Sequence, residues 1–401
     1  MKTSMAREEQ KTKRGFITVL VRESGRIASN PLYAIFTFVV PLAVFALLCT
    51  IFHEGVPREL PLLVYDADQS SFSRQLIRML DASSTIRVVP APSGIEEGRR
   101  LVLSGRGYAF IVIPENLEEN ILTGRPSEVI EYYNNQFLLP ASLVDRDVKK
   151  AVATLSGGVE LRLRQKYGET REAALAHLQP ILIDSHALFN PQLNYVYFLV
   201  NTLLPTMLQI FILMVSVYAL GIELKDGTAG EWFDAAGGNT LKAVAGKLLP
   251  HTLCFLCIGF FMNTLLFRFL GVPLRGSIVI IMLSTALLVC AYQSLALFFV
   301  AVTANMRLAL SFSAFYAAPA FAFVGITFPT IGMPLAGKIW GSLLPLSHYL
   351  SILVDQSLRG APVSMSLPSI AVLTAFALIP SAAVMWRFKK LMTVNTYWGR
   401  S

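Results

Sequence analysis

Long apolar stretches separated by short polar segments dominate the pattern of this chain. A helix of about 20 apolar residues spans the roughly 30 Å hydrocarbon layer of a bilayer. Runs near this length occur at residues 32–52, 194–221, 248–270, 277–302, 308–328 and 367–386. The pattern therefore predicts an α-helical integral membrane protein with six transmembrane helices, the first at 31–52 and the other five within 191–401.

Residues 53–190 have the composition of a soluble domain. Short runs rich in β-branched and aromatic residues alternate there with helical patterns, which predicts an inserted α/β domain with a mixed sheet. The predicted strands are 62–65, 86–89, 108–113, 129–133 and 180–189, and the predicted helices are 70–81, 95–104, 115–122 and 138–166. Ser70 and Ser93 precede two of these helices and are predicted to cap them.

Two further segments have amphipathic or broken patterns. Residues 16–29 place apolar side chains against Arg22, Glu23 and Arg26, so 1–30 is predicted to be a cytoplasmic tail followed by an interfacial helix. Residues 329–360 are half apolar and are split by prolines. Such a stretch after the fifth span predicts short re-entrant helices packed within protein.

The net charge of +8 is unevenly distributed. Residues 53–190 hold 15 Lys/Arg and 18 Asp/Glu, whereas the rest of the chain holds 19 and 8. Basic residues flank the first and last spans, and such flanks remain in the cytoplasm. Both termini are therefore predicted to be cytoplasmic and the inserted domain extracytoplasmic. The basic balance fits contact with membrane lipid headgroups, and no nucleic-acid partner is expected.

The segment from Gly221 to Pro250 is polar, rich in glycine and enclosed by two apolar runs. Trp232 and Phe233 within it are expected to form an exposed apolar anchor, at the membrane interface or in the groove of a partner. From composition alone, a solvated loop with an interfacial aromatic residue is the favoured alternative.

The motifs of this segment resemble those of type-2 permeases of ATP-binding-cassette (ABC) exporters. Glu-Leu-Lys-Asp-Gly-Thr at 223–228 with Glu231 resembles the family's coupling helix, although Ala229-Gly230 displaces the second acidic position. Gly-Lys-Leu-Leu-Pro at 246–250 resembles the start of the next membrane helix. The resemblance implies a coupling helix near 222–236 and contact with an ATPase subunit through Glu223, Lys225, Asp226, Gly227, Thr228, Glu231, Gly246, Lys247 and Pro250.

Other motifs extend the resemblance over nearly the whole chain. The inserted domain, Gly-Ile-Thr-Phe-Pro at 325–329 and Leu-Pro-Leu-Ser-His-Tyr at 344–349 are similar to the subgroup with a large extracytoplasmic domain between the first and second spans. This resemblance implies a multi-pass permease of the bacterial plasma membrane that exports a hydrophobic or amphipathic substrate. A dimer with a second copy or a paralogue is also expected, and a periplasmic adaptor is a further candidate partner.

The chain contains no phosphate-binding loop of the Gly-x-x-x-x-Gly-Lys-Ser/Thr type. Gly246-Lys247 is followed by leucine, and Gly337-Lys338 is followed by isoleucine. We therefore expect no enzymatic activity and no cofactor in this chain, with ATP and Mg²⁺ bound by a separate ABC ATP-binding subunit. Neither Asp66-x-Asp68 nor the Cys254-x-x-Cys257 pair has a ligand set typical of a metal site.

The predicted spans carry few ionisable residues but several amides. Asn201 and Gln209 share one face of the second span and, with Tyr197 and Met207, are candidates to line a transport pathway. The simpler alternative is that each amide forms a hydrogen bond between helices. A different class of function, a membrane-anchored sensor or assembly scaffold using the external α/β domain, also remains compatible with the sequence.

Overall fold

The structure is a computed structural model that describes residues 15–89, 92–178 and 186–399. The chain divides into two compact units. One is the α/β unit, Glu54–Asn194, and the other is the helical unit, which combines Met1–His53 with Tyr195–Ser401.

Two helices of the helical unit precede the α/β unit in the chain. α1 (Phe16–Ser29) buries Val19, Glu23 and Ile27 along one face. α2 (31–51) follows after Asn30 and contains a π-helical turn at Ile35–Val39. Its apolar part, Ile35–Ile51, is shorter than each of the five apolar helices that are long enough to cross a membrane. The first predicted span thus corresponds to a helix.

Within its described residues, the α/β unit is built on a four-stranded mixed sheet. Its elements are β1 (Leu60–Asp66), α3 (Ser71–Asp81), β2 (Ile86–Val89), α4 (Ile95–Leu103), β3 (Ala109–Ile113), α5 (Leu117–Leu122), β4 (Ile130–Tyr133), α6 (Leu138–Lys166) and α7 (Arg171–Leu178). The strand order is β2-β1-β3-β4, with β1 parallel to β2 and β3, and β4 antiparallel to β3. The predicted mixed α/β region is confirmed.

Side chains on the two faces of this sheet form separate apolar clusters. Leu62 and Val64 of β1 pack with α3, α5 and α6, whereas Leu63 of β1 packs with Phe110 and with α4. This follows from the two-residue repeat of a strand, which directs successive side chains to opposite faces.

Of the two helix caps predicted in the α/β unit, one is confirmed and one is corrected. Ser70 does cap α3, because its side chain accepts a hydrogen bond from the N–H of Ser73. The cap of α4 is Gly94, not Ser93, since Ser93 lies one residue earlier and donates to Glu97. The predicted strand at 180–189 lies largely outside the described residues, and 186–189 form no strand.

The remaining helices belong to the helical unit. They are α8 (Val196–Lys225), α9 (Ala229–Ala235), α10 (Thr240–Phe269), α11 (Ile278–Thr303), α12 (Met306–Phe323), α13 (Leu335–Ser342), α14 (Pro345–Val354) and α15 (Val363–Thr393). Among the described residues, five of these helices are long and apolar enough to cross a membrane: α8, α10, α11, α12 and α15.

α8 is the most enclosed of these five helices. In its most apolar stretch of 18 residues, 67% of the residues are buried, whereas the corresponding share for α15 is 11%. Polar side chains connect the helices within the apolar core: Asn263 of α10 donates to Thr285 of α11, whose hydroxyl lies 3.2 Å from that of Tyr349. The prediction of a mostly helical membrane protein is confirmed. Six spans stay a prediction, because five helices of the described residues are long and apolar enough to cross a membrane.

The segment predicted to form a coupling helix near 222–236 contains a turn in the structure, at a glycine position. α8 continues to Lys225, and α9 begins only at Ala229. α12 is likewise interrupted near Pro319, because proline has no N–H to continue the helix. The region predicted to be re-entrant contains two short helices, α13 and α14, which are separated by two residues. A π-helical turn, Asp355–Arg359, follows α14 directly.

Candidate functional site

The segment between α8 and α10 folds as a helix end, a tight turn and a short helix. Gly227 follows α8 with a φ of 73°, a left-handed conformation that glycine adopts without a steric penalty. The N–H of Thr228 donates to the carbonyl of Glu223 at 2.9 Å and closes the turn. Asn239 caps the start of α10 by accepting from the N–H of Lys242. Local sequence therefore defines both ends of the segment.

The carboxylate of Glu223 is buried and surrounded by cations. Only 1% of its side chain is exposed, and Lys247 lies 2.8 Å away. Arg26 and Arg22 of α1 donate to it at 2.6 and 3.1 Å. The hydroxyl of Thr228 donates to the same carboxylate. A buried charge is tolerated only with such partners, so this one carboxylate joins α1, α8 and α10.

Lys247 extends the ion pairs to a second buried carboxylate, Glu23 of α1. The ammonium of Lys247 is 1% exposed and lies 2.5 Å from Glu23. The Tyr33 hydroxyl donates to Glu23 at 3.1 Å, and the His251 ring nitrogen is also 3.1 Å from it. We refer to these residues together as the charge cluster: Arg22, Glu23, Arg26, Tyr33, Glu223, Thr228, Lys247 and His251.

The cluster favours the ionised form of Glu23. Burial alone raises the pKa of this carboxyl, but the hydrogen bond from His251 and the charge of Lys247 outweigh burial and hold the pKa at about 2. Burial likewise tends to lower the pKa of Arg26, and the neighbouring Glu223 carboxylate raises it instead. Glu23 and Arg26 are therefore both charged at neutral pH.

The depressed pKa of Glu23 predicts a pH-dependent contribution to stability. The pKa is 4.5 for an ordinary glutamate and about 2 here, so ionised Glu23 stabilises the fold above pH 4.5, and this contribution is lost as the pH falls toward 2. We expect Glu23→Gln to lower the free energy of unfolding by about 3 kcal/mol at pH 7. The deficit relative to the unsubstituted chain should shrink at pH 3. Denaturant unfolding at both pH values measures it, with exposed Glu96→Gln as the control. An equal deficit at both pH values contradicts the assignment.

Trp232 of α9 packs inward, which corrects the expectation that it forms an exposed anchor. Its side chain is fully buried, and its indole N–H donates to the carbonyl of Ala243 at 3.1 Å. The ring meets Phe388 of α15 edge-on and lies 5.2 Å from the ammonium of Lys247. The ring was expected outside because composition alone gives no packing partner. In the structure it fixes α9 to α10 and α15.

Gly246 allows α1 to approach α10 closely. A Cβ at this position would lie 2.9 Å from the carbonyl oxygen of Phe16, too near for any other residue without a shift. Just before α1, the N–H of Gly15 donates to the carbonyl of Ala235 at the end of α9. Pro250 is buried within α10. The Gly-Lys-Leu-Leu-Pro motif thus supplies a close helix crossing and the central cation of the charge cluster.

The residues predicted to contact an ATPase subunit fall into two sets. The buried set consists of Glu223, Gly246, Lys247 and Pro250. The exposed set consists of Lys225, Asp226 and Glu231, and the remaining two residues, Gly227 and Thr228, are partly buried. Lys225, Asp226 and Glu231 lie on or beside the turn between α8 and α9, and we call them the exposed edge. The buried set holds the turn in place, while the exposed edge is accessible to another molecule. A contact of either set with an ATPase subunit stays a prediction.

A sequence model described as ABC-2 family transporter protein matches residues 32–386, which is most of the chain. This chain belongs to that family. A search of curated proteins gives no match. The resemblance to type-2 ABC permeases, drawn from the motifs, is therefore confirmed. The protein is a multi-pass membrane permease, and the family's membrane domain lacks an ATPase domain. Permeases of this family generally pair with ATP-binding subunits, which favours transport over a sensor or scaffold.

Sequence reasoning missed that α1 of the permease contributes to this site. Its polar residues were assigned to the membrane interface, yet Glu23 is buried and faces α10. The spacing carries a signal, because Glu23 lies four residues after Val19 and four before Ile27. Residues four apart share a helix face, so this glutamate stands in the apolar row of α1. A charged residue in such a row indicates a buried partner, and Lys247 is that partner.

The polar residues proposed to line a pathway have different environments. Gln209 is fully buried, accepts a hydrogen bond from the Tyr292 hydroxyl and lies 3.5 Å from the carbonyl oxygen of Ala317. This matches the simpler alternative of a bond between helices. Asn201 is also buried, and its side chain has no hydrogen-bond partner among the described residues. Tyr197 and Met207 are half-buried. That these four residues line a pathway stays a prediction.

Proposed function

We propose that this permease is the transmembrane subunit of an ABC exporter, and that the charge cluster couples it to a separate ATP-binding subunit. The observation that carries the proposal is the contrast at the turn after α8. Glu223 is 1% exposed and ion-paired to α1 and α10, whereas Lys225 and Asp226, two and three residues later, are exposed. A force applied to the exposed edge therefore acts on a turn that is bonded to two other helices.

The mechanism follows from the cost of breaking buried ion pairs. Removing one partner of such a pair typically costs about 3–5 kcal/mol, so the paired elements move together more readily than they separate. ATP-driven closure of two ATP-binding subunits displaces the exposed edge in this scheme. α1, α9 and the adjoining ends of α8 and α10 then shift as one body. Two permease halves rock between inward- and outward-accessible states in response.

The proposal includes a membrane topology with six spans. α2 is the first span and precedes the five longer candidates, so α1 and α9 lie in the cytoplasm and residues 53–190 outside. The basic residues flanking the spans support this orientation. Both termini are cytoplasmic in this arrangement, in the plasma membrane of a bacterium.

Cysteine labelling tests this topology. In a cysteine-free background, Glu128→Cys in the α/β unit and Lys242→Cys at the start of α10 occupy exposed positions. We expect a membrane-impermeant maleimide to label Glu128→Cys in intact spheroplasts, and Lys242→Cys only after lysis. Labelling of both positions in intact spheroplasts contradicts the proposed orientation.

Substrate and partners follow from the same scheme. The predicted spans offer few ionisable side chains, and a charge at the bilayer centre costs about 2.5–3.5 kcal/mol on insertion scales. A hydrophobic or amphipathic substrate moving outward fits such a lining.

ATP and Mg²⁺ belong to the partner subunit. A second permease, identical or paralogous, completes a two-fold pathway, and the external α/β unit is the surface available to a periplasmic adaptor.

Removal of the charges of the exposed edge tests the proposed function. We expect Asp226→Ala with Glu231→Ala to weaken binding of the ATP-binding subunit at least tenfold. Loss of one partner in a desolvated interface pair costs about 2–5 kcal/mol, whereas an exposed charge contributes under about 1 kcal/mol. Co-purification and stimulation of ATP hydrolysis measure the effect.

Asp234→Ala with Lys242→Ala is the matched control, since both residues are exposed in the same segment but outside the motif. The control should bind and stimulate like the unsubstituted permease. Equal behaviour of the two double variants would show that the exposed edge is a solvated turn and that coupling occurs elsewhere.

A further inference from the structure

The chain turns back after α15 and lies against the segment between α8 and α10. A 3₁₀ turn, Asn395–Tyr397, follows α15. The indole N–H of Trp398 then donates to the carbonyl of Leu391 at 2.9 Å. The N–H of Gly399 donates to the carbonyl of Leu224 at 2.9 Å, in the last turn of α8. We call residues 394–399 the returning segment, and it bonds to the helix that carries Glu223.

The same segment packs against α9. The Trp398 ring covers Gly230, and a Cβ at Gly230 would lie 2.6 Å from its Cη2 atom. Glycine weakens a helix interior, because it adds backbone freedom to the unfolded chain. Its presence within the seven residues of α9 is explained by the space that the indole needs. Trp232 holds the inner side of α9, and Trp398 covers a second side.

A helix as short as α9 depends on such contacts. Isolated helices under about 12 residues are marginal in water, because one costly nucleation step is shared by few hydrogen bonds. α9 has seven residues and is flanked by Gly227 before it and Gly237-Gly238 after it. Its position therefore depends on the packing around it and not on its own propensity.

We propose that the returning segment is a strap that positions α9 and the exposed edge for the ATP-binding subunit, with Trp398 as the positioning residue. The expected effect on coupling rests on the proposed function, whereas the packing of the returning segment on α9 does not. Trp398 packs on Gly230 of α9, beside the exposed edge. It acts by holding α9 against the bundle, so that the charges of the exposed edge are presented in a fixed geometry.

The first arm of the test measures the order of α9. In the full-length permease in lipid nanodiscs, we expect Trp398→Ala to raise amide hydrogen exchange of residues 226–236 at least tenfold, with little change in α11. Asn395→Ala is the control, because this residue is exposed in the same segment. Unchanged exchange in 226–236 would overturn the strap.

The second arm uses a compensating pair. Gly230→Ala introduces a methyl group where the outer atoms of the indole lie, so it should also raise exchange in 226–236. Trp398→Leu removes those atoms. The double variant Gly230→Ala with Trp398→Leu should therefore exchange more slowly than Gly230→Ala alone. Purely additive effects of the two substitutions would overturn the contact.

The third arm separates this inference from the proposed function. Trp398→Ala should reduce stimulation of ATP hydrolysis several-fold in the complex with the ATP-binding subunit, although the exposed charges are intact. Raised exchange with undiminished stimulation would overturn the positioning role. The variant Asp226→Ala with Glu231→Ala would then decide separately whether the exposed edge takes part in coupling.

Discussion

Replacing Lys247 by methionine is expected to lower the free energy of unfolding by about 3–5 kcal/mol, because Glu23 and Glu223 lose their shared cation. Both carboxylates are nearly inaccessible to water, and Lys247 lies 2.5 and 2.8 Å from them. Methionine has similar length, so the loss reflects charge more than volume. Thermal or denaturant unfolding in detergent measures the change. Lys242→Met, an exposed position on the same helix, should alter stability by less than about 0.5 kcal/mol.

Neutralising the whole ion pair tests the same cause from the other side. The triple variant Glu23→Gln, Glu223→Gln and Lys247→Met removes the two carboxylates together with the cation. Replacing a complete buried ion pair is often close to neutral for stability, whereas breaking it is not. The triple variant should therefore be more stable than Lys247→Met alone. If it is less stable, the destabilisation comes from packing or from Arg22 and Arg26, which lose Glu223, and not from uncompensated carboxylates.

The second large effect is expected at Trp232. Truncation to alanine removes a fully buried indole and its hydrogen bond to Ala243. Such changes typically cost about 3–5 kcal/mol. The loss falls between α9, α10 and α15, so α9 should detach before the bundle unfolds. Hydrogen exchange of residues 229–235 measures this detachment.

Phe233→Ala is the control for Trp232→Ala, since this neighbouring aromatic side chain is only half-buried. It should cost clearly less, about 1 kcal/mol. Similar losses for the two variants would contradict the inward packing of Trp232.

The membrane helices and the α/β unit were predictable because their signals are local and strong. An apolar run of sufficient length allows little except a membrane helix, and alternating strand and helix patterns gave β1 to β4 within two residues of their ends. The break between α8 and α9 was less predictable. Gly227 and Gly230 both permit a turn among the charged residues at 223–231, and the sequence does not show that the left-handed turn is at Gly227.

The charge cluster could not be assembled from the sequence, because residues that bond to each other in it lie up to 228 positions apart. Periodicity shows that α1 is amphipathic, but not which helix it packs against. Glu23 was therefore assigned with Arg22 and Arg26 to a solvated face. For Trp232, aromatic character fits an exposed anchor as well as a core position. Which of these positions is exposed and which is buried depends on packing between distant segments, and a single sequence does not show which segments pack together.

The rate of ATP hydrolysis in the assembled complex tests the central claim most directly. The measurement compares the unsubstituted permease with the triple variant Glu23→Gln, Glu223→Gln and Lys247→Met, each co-purified with the ATP-binding subunit in liposomes. We expect the triple variant to bind the subunit, since the exposed edge is intact, but to stimulate hydrolysis at least tenfold less. A triple variant that folds, binds and stimulates like the unsubstituted permease would contradict a coupling role for the charge cluster.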